Sequence, residues 1–510
     1  MRVYKEEQIR KAENKAFEAG ISFLRLMENA GTACFSKINS RIREESSVLI
    51  LCGKGKNGGD GLVIASKLCE AGHSVCVSML FGEPVDDDCV HMYKLAKGKK
   101  IVFLPPENVK KHIKECDVIV DAVFGIGFKG TAKGFLPDIF DSVNKSSATV
   151  FSIDIPSGLV CDSNSVPDSF IKPDYTIAIS GQKLCHTLKP ASLNCGKILT
   201  AYIGVERDYY KDCEYFGYTL STTEVSKMFI PRKAVSNKGD YGKVLCICGC
   251  KKYPGAAVLC VSGALRSGAG LVFSAFPDAA YPSISAKLTE SPLLPLPSDS
   301  QGCFSNGAVP EILKDLDSFD AVVIGCGLSK TLGTRETVEA VIKNAKCPVI
   351  IDADGINCVA ENIDILKEAK CKICMTPHPG EMARLTALSI DAILKNPVEV
   401  AKAFAKKYSV TLVLKGANTI VAHPDSDAVY INENGNSGLS KGGSGDLLAG
   451  ILAGFVAQRV RLPAEAAVFI HGMCADATAK RLSKRGMLPS DCLYDLPFVL
   501  SKFETDKGDF

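Results

Sequence analysis

No apolar run in this sequence is long enough to cross a membrane: the longest worth testing, LLAGILAGFVA over residues 447–457, falls well short of the roughly 20 residues a spanning helix needs. Dense runs of Lys or Arg are missing too. With 60 basic and 57 acidic residues the 510-residue chain carries a formal charge of only +3, which gives nucleic-acid binding no electrostatic footing. There is no short repeat and no low-complexity segment. The N-terminal stretch MRVYKEEQIRKAENKAF is charged and lacks the apolar centre of a signal peptide, so the expectation is a cytoplasmic protein with no membrane and no nucleic-acid partner.

Cysteine, by contrast, is abundant, at 22 residues. The positions are scattered, and many lie in apolar strand-like runs, such as Cys246 and Cys248 in KVLCICGC, where a thiol packs as a small hydrophobe. Cys371 and Cys374 form a C-x-x-C with no second pair at zinc-ribbon distance, which favours packing over metal. So many thiols fit a reducing compartment.

Strand-like runs alternate with amphipathic segments through both halves. In the first half they fall at 47–51, 74–80, 100–104, 117–123, 149–154 and 175–180. In the second they fall at 243–249, 271–276, 321–327, 347–354, 372–376 and 411–416, followed by the helical GDLLAGILAGFVAQ and PAEAAVFIHGMCADATAKRL. Continuous apolar strands separated by helices predict α/β units with mostly parallel sheets covered on both faces. The charged, aromatic, unpatterned stretch from 205 to 237 places a domain boundary near 215, which leaves each half long enough for its own core.

In the first half, CGKGKNGGDG over 52–61 follows a strand and opens a helix, where glycines admit close backbone approach and a helix N-terminus favours anions. Two carboxylates end strands: Asp121, before the glycine loop AVFGIGFKG, and Asp154 in SIDIPSG. Both are placed for proton transfer or cation binding beyond the strand ends. Together with Met27-Glu-Asn-Ala-Gly31, these segments resemble the YjeF N-terminal family, the NAD(P)H-hydrate epimerases, over about residues 1–210. The resemblance implies a Rossmann-like three-layer sandwich as an epimerase domain over 1–214. It implies a potassium ion held by Asn57, Asp121 and Ser157, and substrate contacts from Lys56, Asn57, Gly58, Gly59 and Asp60 and from Gly125, Ile126, Gly127, Phe128, Lys129, Gly130 and Thr131. Asp154 would contact substrate and transfer the proton during epimerisation at C6. Lys56 stands where the family commonly has Asn.

In the second half, Gly442-Gly-Ser-Gly-Asp446 leads directly into an apolar helix, so several N–H donors meet an aspartate at one point. Such an Asp can take a proton from a hydroxyl while the N–H groups hold a transferring phosphoryl group. KGANT, NSGLSK, TPHPGE, GCGL and DAD close strands upstream of it. With KGDYGKV and LRSGAGL, these motifs resemble the ADP-dependent NAD(P)H-hydrate dehydratases, the YjeF C-terminal family, over about 222–500. The resemblance implies a ribokinase-like domain over 222–505, with hydrate contacts from Ala256, Gly327, His378 and Asp446. ADP, with Mg²⁺, would lie on Lys415, Gly416, Ala417, Asn418 and Thr419 and on Asn436, Ser437, Gly438, Leu439, Ser440, Lys441, Gly442, Gly443, Ser444 and Gly445. Asp446 would be the catalytic base. Cys326 and Gly355 stand where Pro and Ala are common.

The function so implied is repair of hydrated NADH and NADPH. The first half would interconvert the R and S hydrates, the second would dehydrate the S form at the expense of ADP, and a homo-oligomer is expected. The alternative is a ribokinase-like small-molecule kinase fused to a non-catalytic binding domain.

Overall fold

The computed structural model describes residues 1–210 and 214–504. It divides into two compact units after Tyr218. Among the described residues no helix is long and apolar enough to cross a membrane.

The first unit is built on seven strands, β2 (Ser47–Cys52), β3 (Ser74–Met79), β4 (Val102–Phe103), β5 (Val118–Ala122), β6 (Thr149–Ile153), β7 (Tyr175–Ile179) and β9 (Lys197–Ala201). They lie all parallel in the order β4-β3-β2-β5-β6-β7-β9. Strand side chains alternate in direction, so apolar runs such as SVLILC cover both faces at once. Val48, Ile50 and Cys52 pack on α2 (Phe23–Asn39), α3 (Lys56–Glu70) and α4 (Asp87–Lys97), while Leu49 and Leu51 pack on α5 (Val109–Ile113) and α6 (Leu136–Asn144). The result is a three-layer, Rossmann-like sandwich. Beside it, β1 (Arg2–Tyr4) pairs parallel with β8 (Gln182–Lys183) and antiparallel with β10 (Gly217–Tyr218), and α1 (Glu6–Glu18) follows β1. These three short strands, and β9, carry no periodic pattern that the sequence reading picked up.

The second unit has a nine-stranded sheet in the order β13-β12-β11-β14-β15-β16-β17-β18-β19. The members are β11 (Lys243–Ile247), β12 (Leu271–Pro277), β13 (Leu293–Leu296), β14 (Ala321–Ile324), β15 (Val349–Ile351), β16 (Ile373–Met375), β17 (Thr411–Leu414), β18 (Ile420–Ala422) and β19 (Val429–Ile431). β11 to β17 run parallel, and the last two return antiparallel. This is a ribokinase-like architecture. α7 (Pro254–Arg266) lies against α9 (Ser444–Ala457), followed by α10 (Pro463–Gly486) and α11 (Pro489–Leu500). α7 and α9 approach backbone to backbone: a Cβ on Gly450 would stand 2.0 Å from the Cys260 carbonyl oxygen. Several strands stop short of the predicted ends. β14 ends at Ile324 rather than 327, and β15 at Ile351 rather than 354, because GCGL and DAD turn away into the loops that build the site.

Candidate active sites

In the first unit the strand ends open into a cavity of about 730 Å³. Arg10 and Glu13 of α1, Phe23 and Met27 of α2, Lys56, Asn57 and Asp60 at the start of α3, the turn Gly125 to Lys129, Asp154 and Lys183 all line it. Asp154 takes a left-handed backbone conformation, φ 64°, just past β6. Its Oδ1 accepts from the Ile179 N–H at 3.2 Å and pairs with the ammonium of Lys183. That ammonium also donates to the carbonyls of Ile179 (2.7 Å) and Gly181 (3.1 Å), so its three protons are all directed and it is a fixed cation in a buried place. Burial pushes the Asp60 carboxyl well up, and the nearby Asp154 and Glu13 push it the same way. Glu13 is raised as well, by burial, with the Lys56 charge opposing. Asp154 is thus paired with Lys183, while its neighbours Asp60 and Glu13 retain protons more readily than ordinary acids do.

Asp121 is fully buried beneath this cavity. It accepts from Ser152 Oγ (2.7 Å), the Ser157 N–H (2.9 Å), Ser157 Oγ (2.5 Å) and the Val123 N–H (3.3 Å). Burial raises its carboxyl although those bonds oppose it. Ser157 Oγ in turn accepts from the Phe124 N–H at 2.9 Å. Asn57 lies on the other side of that turn, against Gly125, and both of its amide atoms are buried with no hydrogen-bond partner. Asn57, Asp121 and Ser157 thus surround one turn. Gly58 and Gly59 are not cavity walls. A Cβ on Gly58 would meet the Gly53 carbonyl oxygen at 2.1 Å and one on Gly59 the Met27 sulfur at 2.5 Å, so these glycines seat α3 on its neighbours. Gly130 and Thr131 also lie outside the walls. Lys56 is exposed, with its ammonium 3.7 Å over the Phe23 ring.

In the second unit the site gathers at the ends of β14 to β17. Asp352, buried after β15, accepts from Thr376 Oγ1 and Lys415 Nζ, both at 2.7 Å. Lys415 stands 4.0 Å from Glu381 as well. Burial alone would lower Lys415, but Asp352 and Glu381 raise it and keep it charged. Glu381 is pushed up to about 7, chiefly by burial. His378 caps α8 (Pro379–Thr386): its Nδ1 accepts from the N–H groups of Gly380 (3.0 Å) and Glu381 (3.3 Å), and its own N–H donates to Glu381 Oε2 (2.8 Å). An accepting Nδ1 carries no proton, in keeping with a pKa lowered by burial and by Lys415.

α9 starts at Gly443, whose φ of 98° only glycine adopts without strain. A Cβ on Gly445 would lie 3.1 Å from the Lys415 ammonium and 3.4 Å from Asp352 Oδ2, so this backbone turns directly over the charged pair. Asp446 sits in the first turn, with carboxylate, Asp352 carboxylate and Cys326 thiol atoms all within 4.8 Å of one another. Its pKa rises to about 6 through burial and then through Asp352. Ser444 Oγ is buried without a partner at the same helix start. Ala256 and Gly327 are in contact, a Cβ on Gly327 falling 2.6 Å from that of Ala256. Among the predicted nucleotide residues, Asn436 is tied to Asp476 (2.8 Å), and Asn418 donates to the Asn432 carbonyl (2.9 Å). The Lys441 ammonium is spent on the Arg485 (2.8 Å) and Met487 (2.5 Å) carbonyls, bracing the end of α10.

Residues 244–497 match the family described as NAD(P)H-hydrate dehydratase, and residues 24–185 that described as YjeF-related protein N-terminus. A protein of Moorella thermoacetica called bifunctional NAD(P)H-hydrate repair enzyme Nnr is 34% identical over 494 residues, covering 94% of this chain and 93% of its own. One of the same name from Escherichia coli is 32% identical, covering 99% of this chain and 95% of its own. The chain belongs to the bifunctional NAD(P)H-hydrate repair enzymes. Membership sets aside the kinase alternative. The crystal structure of an ADP/ATP-dependent NAD(P)H-hydrate dehydratase from Bacillus subtilis, co-crystallised with ATP and Mg²⁺, is 30% identical, covers 56% of this chain and 98% of its own, and has a TM-score of 0.48.

Sequence reading of this repair enzyme missed Glu13, Lys183 and Thr376 as site residues. Lys183 had one signal, a lone cation inside the apolar stretch IAISGQKLC. Glu13 had none, since α1 reads as an ordinary charged amphipathic helix.

Proposed function

We propose that residues 1–214 epimerise hydrated NADH and NADPH at C6. Residues 222–505 dehydrate the S hydrate with ADP, giving reduced cofactor, AMP and phosphate. The observation that carries this reading is the glycine-led start of α9, where Asp446, Asp352 and Lys415 converge on a backbone turn. The enzyme is read as a homo-oligomer in the cytoplasm, the location being in keeping with the free state of every described cysteine.

In a hydrate, C6 bears both a hydroxyl and the ring nitrogen. Asp60 or Glu13, whose carboxyls hold protons more readily than ordinary acids, protonates the hydroxyl so that water leaves C6 as the ring-nitrogen lone pair moves in, and Asp154, paired with Lys183, takes a proton from water as it adds back to either face. Asn57, Asp121 and Ser157 fit a potassium ion, since Asn57 is a buried amide with no other partner. Bound there, the ion would fix the Val123–Gly125 turn and offset the Asp121 charge.

In the second unit Asp446 removes the hydroxyl proton as the terminal phosphoryl group of ADP moves onto that oxygen and AMP departs. Loss of phosphate from C6, with a proton from C5, then restores the ring double bond. The N–H groups of Gly445 and Asp446, in the first turn of α9, have no preceding helical carbonyl to donate to and so face the transferring group. Lys415 adds positive charge beside them. Mg²⁺ entering with the nucleotide would lower its charge, and Asp352, whose Oδ2 accepts from the Cys326 thiol at 3.8 Å, is an oxygen donor suited to it.

Asp446→Asn should lower dehydration by about 10²–10⁴-fold with epimerisation unchanged, measured by recovery of reduced-nicotinamide absorbance and by chromatography of the epimers. Dehydration at the wild-type rate in that variant would refute the assignment.

A further inference from the structure

Three cysteines converge beneath the second site. Cys248 directly follows β11, Cys260 is in α7, and Cys326 is in the turn after β14. The Cys248 and Cys260 sulfurs are 3.7 Å apart, and all three sulfurs lie within 4.8 Å of one another. Two sulfurs bound to one tetrahedral zinc at about 2.3 Å stand roughly 3.8 Å apart, so the observed spacing is that of a ligand edge. Cys326 Sγ is in turn 3.8 Å from Asp352 Oδ2 and belongs to a second close group with Asp352 and Asp446, so Cys326 links the triad to the carboxylates of the dehydration centre. All three backbones are anchored: Gly249 N–H donates to the Cys326 carbonyl at 2.7 Å, Cys248 N–H to the Ala275 carbonyl at 3.1 Å, and Gly450 is pressed against Cys260. The sulfurs converge on fixed supports.

We propose that Cys248, Cys260 and Cys326 form a site for one soft divalent cation of the zinc class, that the bound cation draws in the Asp352 carboxylate beside Cys326, and that filling it stops dehydration. The inhibitory part rests on the reading of Asp352 and Asp446 as parts of the dehydration centre. Three sulfurs and one carboxylate select a thiophilic ion over Mg²⁺, which prefers oxygen and keeps its waters. The three thiols are buried, but Asp446, within 4.8 Å of Cys326, is partly exposed and marks the way in from the crevice. Binding replaces three S–H bonds with three metal–sulfur bonds and releases three protons, leaving a complex with one negative charge before Asp352 joins. Drawing Asp352 towards the metal takes it from Lys415, now 2.7 Å away, and undoes the charge arrangement under Gly445.

The test uses the full-length enzyme, reduced with a phosphine, freed of metal by a chelator, and titrated with Cd²⁺. A thiolate-to-cadmium charge-transfer band should saturate at one equivalent with release of protons. Dehydration of the S hydrate should be lost, epimerisation should be unchanged, and Zn²⁺ should compete. Cys260→Ser should dehydrate at the wild-type rate without Cd²⁺, lose that band and resist inhibition, and Cys248→Ser should do the same. The same band and inhibition in both variants, no band in the wild type, or a saturated band with full dehydration would each overturn the proposal. The rate of the metal-free wild type reports separately on the dehydratase reading, and the band reports on the metal site whatever that rate is.

Discussion

A buried lysine pairs with the carboxylate proposed to carry the proton in the first site. Asp154 was visible in the sequence as a carboxylate ending a strand beside a glycine turn, where capping that turn is as good a reason for it as function, and the family resemblance of SIDIPSG singled it out. Its partner was not, because Lys183 meets it across 29 residues and only the fold brings the two together. Removing the cation leaves a buried carboxylate unpaired. Lys183→Met should therefore abolish epimerisation, leave dehydration, and cost about 3–5 kcal/mol in urea unfolding of the first unit. Asp446 was legible for a comparable reason, a glycine run, an acid and a helix start in one place. What the sequence did not carry was its environment. Burial and Asp352 raise its pKa to about 6, so a base is available only above that value. Dehydration should fall as pH drops through about 6. The folded form also binds this proton more tightly than the unfolded chain, so the group's contribution to stability is full below the ordinary carboxylate range and is lost as pH rises through about 6. A kcat profile flat across that range would contradict the role. His378, read from the sequence as a hydrate contact, also has a local task the sequence did not display: its Nδ1 caps α8.

Among the elements, the central strands announced themselves as apolar runs because both of their faces are covered. Their ends did not. GCG after β14 and DAD after β15 follow those strands without a break in the sequence pattern, and only the site they build makes them turn. β1, β8 and β10 are two or three residues long, too short for any period to register. The apolar run of α9 was read correctly as a helix, but the close approaches at its glycines Gly445, Gly450 and Gly454 are a matter of packing that no run can display. Gly450 is the sharpest case, since a side chain there would enter the Cys260 carbonyl at 2.0 Å. Gly450→Val should force α7 and α9 apart, lower the stability of the second unit by about 1–3 kcal/mol or more, and slow dehydration, while thermal unfolding of the first unit keeps its midpoint.

At the scale of the whole molecule, two α/β units each gather their own cluster of site residues at strand ends, and the two chemistries proposed for them are complementary. One epimer alone can be dehydrated, so a mixed pool is cleared only if the other is converted. The central claim is tested most directly by giving a mixture of R and S hydrates with ADP to the wild type and to Asp154→Asn and Asp446→Asn, and following reduced nicotinamide together with the epimer ratio. The wild type should clear both epimers, Asp154→Asn should recover quickly only the S share, and Asp446→Asn should recover none while still equilibrating R and S. Rapid and complete recovery by Asp154→Asn, or any fast recovery by Asp446→Asn, would contradict the division of labour proposed for the two units.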